Sequence, residues 1–260
     1  MYPYEIIFGL GLYDIFLGAG IIAAMLCFAH FSKKLNFSAK FHNFVLFDGI
    51  FAVVAGYASA VLTQAVYNAL DGDGFALNAS TGATFLGGLV GGALSFIAVY
   101  FIGGAFVFPD KLHVRKFLVI ADIASVAIPV AHGLGRLGCL MAGCCHGAET
   151  DAWYGIYHVS AGVKYVPVQL FEAVFLFALA ALMFYRTSKK RINGLAAYMV
   201  FYGVWRYFAE YFRADDRGST VVSFWSPSQL VSVLLIVGGA ALGVSVYLYY
   251  KKKGVSYYED

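Results

Sequence analysis

A chain of 260 residues that is 61% hydrophobic and only 13% charged carries more apolar surface than a soluble domain of this length can hide. Its mean hydropathy of +0.74 excludes a soluble globular enzyme, and a net charge of +3 is too small to mark a nucleic-acid-binding protein. The class is an all-α integral membrane protein.

Seven apolar segments are predicted as transmembrane helices, over residues 5–29, 44–67, 82–108, 117–132, 167–186, 194–212 and 227–250, most of them near the ~20 residues a helix needs to cross hydrocarbon. The first has neither a basic n-region nor a small-residue cleavage pattern, so it is expected to stay as a helix, with Cys27 as small apolar filler. The third opens on the glycine-rich run Gly82 to Gly92, and the fourth is the shortest. Asp14, Asp48 and Asp122 are intramembrane carboxylates that could line an ion path, but no inverted halves with paired broken helices accompany them. For Asp122, a structural hydrogen bond or a helix-end contact is expected. No long polar stretch separates the segments, which predicts a single polytopic membrane domain over residues 1–260.

The basic residues set the orientation. Lys33, Lys34 and Lys40, then Lys111, Arg115 and Lys116, then Arg186, Lys189, Lys190 and Arg191, then Lys251, Lys252 and Lys253 fall in every second connection and at the C-terminus. The positive-inside rule makes that side cytoplasmic. The N-terminus, Asp71 and Asp73, a loop beginning at His132 and the turn from Arg213 to Arg217 are then outside.

Residues His132 to Gly147 read HGLGRLGCLMAGCCHG, with five glycines, three of the four cysteines, two histidines and Arg136. An arginine at the edge of hydrocarbon is costly unless it meets an anion, and a phospholipid phosphate is the anion at hand. Arg206 lies six residues before the outer end of its segment, ~9 Å down at the helical rise. Tyr198, Tyr202, Arg206 and Glu210 recur every four residues and so share one helix face, with Arg213 close to the same stripe. Either this stripe is an internal Arg206–Glu210 pair that helps helices pack, or it lines a cavity together with Arg136, Gln169 and Glu172.

Four motifs in order, GRLGC at Gly135 to Cys139, PVQLFE at Pro167 to Glu172, YGVWRYFAEYFR at Tyr202 to Arg213 and SPSQLVS at Ser226 to Ser232, resemble those of prolipoprotein diacylglyceryl transferases. The resemblance implies a bacterial plasma-membrane (inner-membrane) transferase with its active site toward the outer leaflet. Such an enzyme moves the diacylglyceryl group of phosphatidylglycerol to the lipobox cysteine of a prolipoprotein signal peptide and releases glycerol phosphate. It also implies that Arg136 and Arg206 are essential and that Tyr202, Glu210 and Gly147 are important. The usual signature GRxGNFxNGExxG is altered here: Cys139 and Ala142 replace two asparagines, Cys144 replaces the glutamate, and Leu86 stands where a histidine is common. The chain resembles the branch whose loop reads GRxGCxxxGCCxG.

With that histidine missing, His146, His132, Glu210 and Glu172 are the candidate bases, His146 first, since imidazole exchanges protons near neutrality. Arg136, Arg206, His146, Glu210 and Cys144 are the candidate catalytic residues. Arg136, Arg206, Tyr202, Gln169, Glu172, Gly147 and His132 are the candidate substrate contacts. For the cysteines three uses stay open: Cys144 or Cys145 as a nucleophile, Cys139 with Cys144 or Cys145 as a disulfide, or the cysteines with His146 and His132 around a metal. The C-x4-C-C-H spacing suits zinc poorly, and no metal or other cofactor is expected. Competing functions are a related transferase with another acceptor or a cysteine-based mechanism, and a phospholipid-binding or transport protein without catalysis.

Overall fold

The computed structural model describes residues 1, 5–7, 10–72, 74–78, 81–213, 225–254 and 256–258. Among them, six helices are long and apolar enough to cross a membrane. These are α1 Leu12–Lys34, α2 Ala39–Leu70, a third run Phe85–Val107, α5 Leu112–Ala142, α6 Val168–Ser188 and α8 Pro227–Lys253. The third run is built from α3 Phe85–Ala98, a π-helical turn Val99–Gly103 and a last turn α4 Gly104–Val107. The remaining predicted segment is α7 Gly194–Ala209, 16 residues long and continued by the 3-10 turn Glu210–Phe212. Two antiparallel pairs complete the elements, β1 Glu5–Ile7 with β2 Leu10–Gly11 and β3 Ile156–His158 with β4 Val163–Tyr165. The first helix therefore starts at Leu12, seven residues later than its apolar composition predicts.

The chain forms two compact units, Ser32–Phe117 and Met1–Phe31 with Leu118–Asp260. In the first, α2 and the third run meet through small residues. Ser59 donates to the Gly87 carbonyl at 2.9 Å, and a Cβ on Gly56 would stand 3.0 Å from the Gly88 oxygen. Close backbone approach of this kind is how helices associate where lipid removes the hydrophobic drive. Asp48 is buried on α2, and neither of its carboxylate oxygens has a hydrogen-bond partner among the described residues.

In the second unit, α5 corrects the expectation most. It was predicted to end at residue 132 and give way to a loop, but it runs on through Arg136 and Cys139 to Ala142. Packing overrides the poor helix propensity of its glycines. A side chain at Gly133 would clash with the Phe177 ring of α6, and one at Gly138 would press on Tyr13 and Phe16 of α1. The glycines are there so that three helices can touch.

The expected helix-end contact for Asp122 is present. Asn193 is left-handed, at φ 67°, and leaves α7 without a side-chain cap of its own. Asp122 Oδ1 instead accepts the N–H of Gly194 at 2.7 Å and of Leu195 at 3.3 Å, capping α7 from a different helix. The other oxygen, Oδ2, accepts from the hydroxyls of Tyr257 and Tyr258. α8 begins with a capping box between Ser226 and Gln229 and Pro227 at its first position, and ends on Lys251, Lys252, Lys253 and the left-handed Gly254.

Candidate active site

Glu172 is the hub of the polar interior. It lies one turn into α6, is fully buried, and meets side chains from two other helices. Arg136 of α5 places Nε 3.0 Å from Glu172 Oε2. His132, one turn earlier on α5, places Nε2 3.8 Å from Oε1. Tyr202 of α7 donates its hydroxyl to Oε1 at 3.1 Å. Its ring stacks on Tyr198 with an interplanar angle of 4° and meets His132 edge-on.

Arg206, one turn beyond Tyr202, is 6% exposed. Its Nη2 donates to Glu210 Oε2 and to Ser228 Oγ, both at 2.8 Å, and Ser226 donates to Glu210 Oε1 at 2.9 Å. Of the two readings of the stripe, the internal pair is formed, between Arg206 of α7 and Glu210 of the 3-10 turn, and it meets Ser226 and Ser228 at the α8 N-terminus. Arg206 is also near enough to Glu172 and Arg136 to interact with both electrostatically. Each guanidinium has a carboxylate partner, but neither is used up. Arg136 Nε lies 3.0 Å from Glu172 Oε2 without forming a hydrogen bond to it, and Arg206 Nη1 has no hydrogen-bond partner among the described residues. Buried guanidinium donors with no hydrogen-bond acceptor of their own are what an incoming anion requires.

The remaining candidates lie in the turn after α5 or, for Gln169 of α6, against it. Gln169, also fully buried, donates Nε2 to the Cys144 carbonyl. Gly147 donates to Val166 O at 2.9 Å and pairs with Arg213 as an antiparallel bridge; a Cβ there would lie 2.5 Å from the Phe212 carbonyl, so only glycine fits. His146 stacks on Tyr165 at 3.8 Å, with Nδ1 2.9 Å from the Gly147 carbonyl oxygen. It lies in the turn after α5, packed against the β3–β4 hairpin, and makes no described contact with the arginine cluster. All four cysteines are free thiols. Cys144 donates to the Cys139 carbonyl; Cys139, Cys144 and Arg213 pull the Cys145 thiol below the ordinary thiol range, while Cys139 and Cys145 push the Cys144 thiol above it. Of Arg213 to Arg217, only Arg213 lies within the described residues, as does only Asp71 of Asp71 and Asp73.

Sequence reasoning missed Ser226 and Ser228 as partners of Glu210 and Arg206. The motif SPSQLVS carried that information as a helix start, since Ser-Pro-x-Gln is a capping pattern whose hydroxyls sit at one helix end.

The sequence pattern of the family described as prolipoprotein diacylglyceryl transferase matches residues 4–245. A phosphatidylglycerol–prolipoprotein diacylglyceryl transferase 2 of Clostridium perfringens is 32% identical over 246 residues, covering 91% of each chain. A phosphatidylglycerol–prolipoprotein diacylglyceryl transferase of Clostridium tetani is 28% identical over 246 residues, covering 90% of this chain and 92% of its own. One of that name from Geobacter sulfurreducens is 33% identical over 170 residues, 64% of this chain and 62% of its own. With a match over nearly its whole length and the arginines of the motifs gathered at one buried site, this chain belongs to the prolipoprotein diacylglyceryl transferase family.

Proposed function

We propose that this protein transfers the diacylglyceryl group of phosphatidylglycerol to the lipobox cysteine of a prolipoprotein and releases glycerol phosphate. The observation that carries the reading is the buried cluster in which Arg136 meets Glu172, Arg206 acts on it through its charge, and Arg136 Nε and Arg206 Nη1 lack hydrogen-bond acceptors among the described residues. The names of the relatives from the two clostridia support the donor and the acceptor. The enzyme is multi-pass in the bacterial plasma membrane, with α7 and its 3-10 turn as the sixth of seven crossings, the N-terminus and the arginine cluster toward the outer leaflet, and Lys251 to Lys253 in the cytoplasm.

The phosphodiester of the lipid carries one negative charge, and Arg136 and Arg206 hold its non-bridging oxygens. The acceptor sulfur attacks the glycerol carbon that bears the phosphate. A C–S bond forms, the C–O bond breaks, and its electron pair leaves on the phosphate, which goes from monoanion toward dianion. The guanidinium groups therefore grip the transition state harder than the ground state, which is the condition for raising kcat. Glu210, Ser228 and Ser226 keep Arg206 in place; Tyr202 keeps Glu172 in place.

The thiol proton goes to His132. It is the imidazole that contacts the cluster, and Glu172 beside Nε2 stabilises the imidazolium as it forms. This departs from the order suggested by the sequence, in which His146 came first. Purified protein in liposomes with labelled phosphatidylglycerol and a lipobox peptide should pass label to the peptide thiol. His132→Ala should lower kcat by about 100-fold or more, while His146→Ala stays near wild type. Label reaching only water or another lipid would remove the thiol acceptor, and the opposite ranking of the two histidines would return the base to His146.

A further inference from the structure

Three sulfur atoms outside the arginine cluster converge. Cys139 comes from the last turn of α5. The chain then reverses with Gly143 at φ 71° and Cys145 at φ 61°, and this brings the Sγ atoms of Cys139, Cys144 and Cys145 within 4.8 Å of one another. The turn is fixed from two sides. Cys144 N–H donates to the Cys139 carbonyl at 3.2 Å, and the buried Gln169 donates to the Cys144 carbonyl. Neither histidine takes part, because His132 is at Glu172 and His146 is stacked on Tyr165.

We propose that Cys139, Cys144 and Cys145 form a trithiolate site for a thiophilic divalent cation, with Zn2+ as its reference occupant, that clasps the end of α5 to the turn after it. Tetrahedral zinc with Zn–S bonds of about 2.3 Å holds its sulfurs about 3.8 Å apart. The widest pair here has only about 1 Å to close, within reach of small χ1 adjustments. Three thiolates around a divalent ion leave one net negative charge, and the neighbouring Arg213 guanidinium, which acts on Cys145, offsets it. A disulfide would use two of the sulfurs and strand the third beside it; a cation uses all three. The linear spacing C-x4-C-C argued against zinc because it counts residues along the chain, whereas here a helix end and a left-handed turn set the distances. Cys139 lies less than one turn beyond Arg136 on α5, so the site adjoins the transfer centre, but the cation is given no part in the reaction proposed above.

The test uses the full-length protein in detergent, reduced and stripped of metal under anaerobic conditions. It is titrated with Zn2+ against a chromophoric chelator and with Co2+, whose thiolate complexes show charge-transfer absorption. One ion per chain is expected. Cys139→Ser and Cys145→Ser should each weaken binding by about 100-fold or more, and Cys27→Ser should bind as wild type. Because a substitution at the end of α5 can disturb the turn, a second measurement uses the unaltered chain. Zn2+ should protect Cys139, Cys144 and Cys145 from alkylation, read by peptide mass spectrometry, and leave the rate at Cys27 unchanged. Binding no tighter than in Cys139→Ser, absence of the charge-transfer band, or no protection overturns the proposal. So does a fully formed disulfide between two of the three in protein isolated without reductant.

Discussion

Arg136→Ala abolishes transfer of the diacylglyceryl group, and Arg206→Ala does the same, while both proteins still insert and stay folded. Each deletion removes a cationic fork from the site where the phosphate gains charge, a loss of about 100- to 1,000-fold per donor set in comparable oxyanion sites. The carboxylates left behind do not force unfolding. Glu172 keeps Tyr202 and His132, Glu210 keeps Ser226, and a buried carboxyl can take up a proton when its partner is gone. Lysine in either position should fail to rescue, since a point charge does not reproduce the planar fork. Activity above about a tenth of wild type in either alanine variant would dismiss the phosphate clamp; membrane-fraction yield and detergent melting serve as the folding control.

Glu172→Ala has the opposite balance and costs stability first. An arginine cannot shed its proton, so removing the shared carboxylate leaves Arg136 buried with an uncompensated charge and leaves the Tyr202 hydroxyl without its acceptor. A destabilisation of about 3–5 kcal/mol is expected, seen as a large drop in the melting midpoint in detergent, together with loss of transfer. Glu172→Gln retains an acceptor for Tyr202 and should lie between wild type and alanine in stability. If Glu172→Ala melts with wild type, the carboxylate is not the hub that ties α5, α6 and α7 together.

Most of this site could be read before any coordinates. Period-four spacing put Tyr198, Tyr202, Arg206 and Glu210 on one face, and the structure stacks the two tyrosines and pairs the two charges. Arg136, Gln169 and Glu172 were grouped by predicted depth, and Arg136 and Glu172 are in contact. The failures share a cause. Glycines in HGLGRLGC read as a loop because intrinsic propensity was the only term visible, whereas the deciding term was the room they leave for Phe177, Tyr13 and Phe16. Likewise, His132 and His146 look equivalent as letters. Helix α5 carries one to Glu172, and the turn after α5 lays the other against Tyr165 of the β3–β4 hairpin. The convergence of three thiols depends on the sign of two φ angles, which residue spacing does not encode.

The double use of Asp122 bears on how this protein can be handled. One oxygen starts α7, the helix that carries Arg206, and the other is held by Tyr257 and Tyr258 from the far end of the chain. Clipping the last half-dozen residues, or replacing them with an affinity handle, would strip that carboxylate of two donors and loosen the footing of α7. Any affinity handle at this end is therefore better placed so that Tyr257 and Tyr258 are kept.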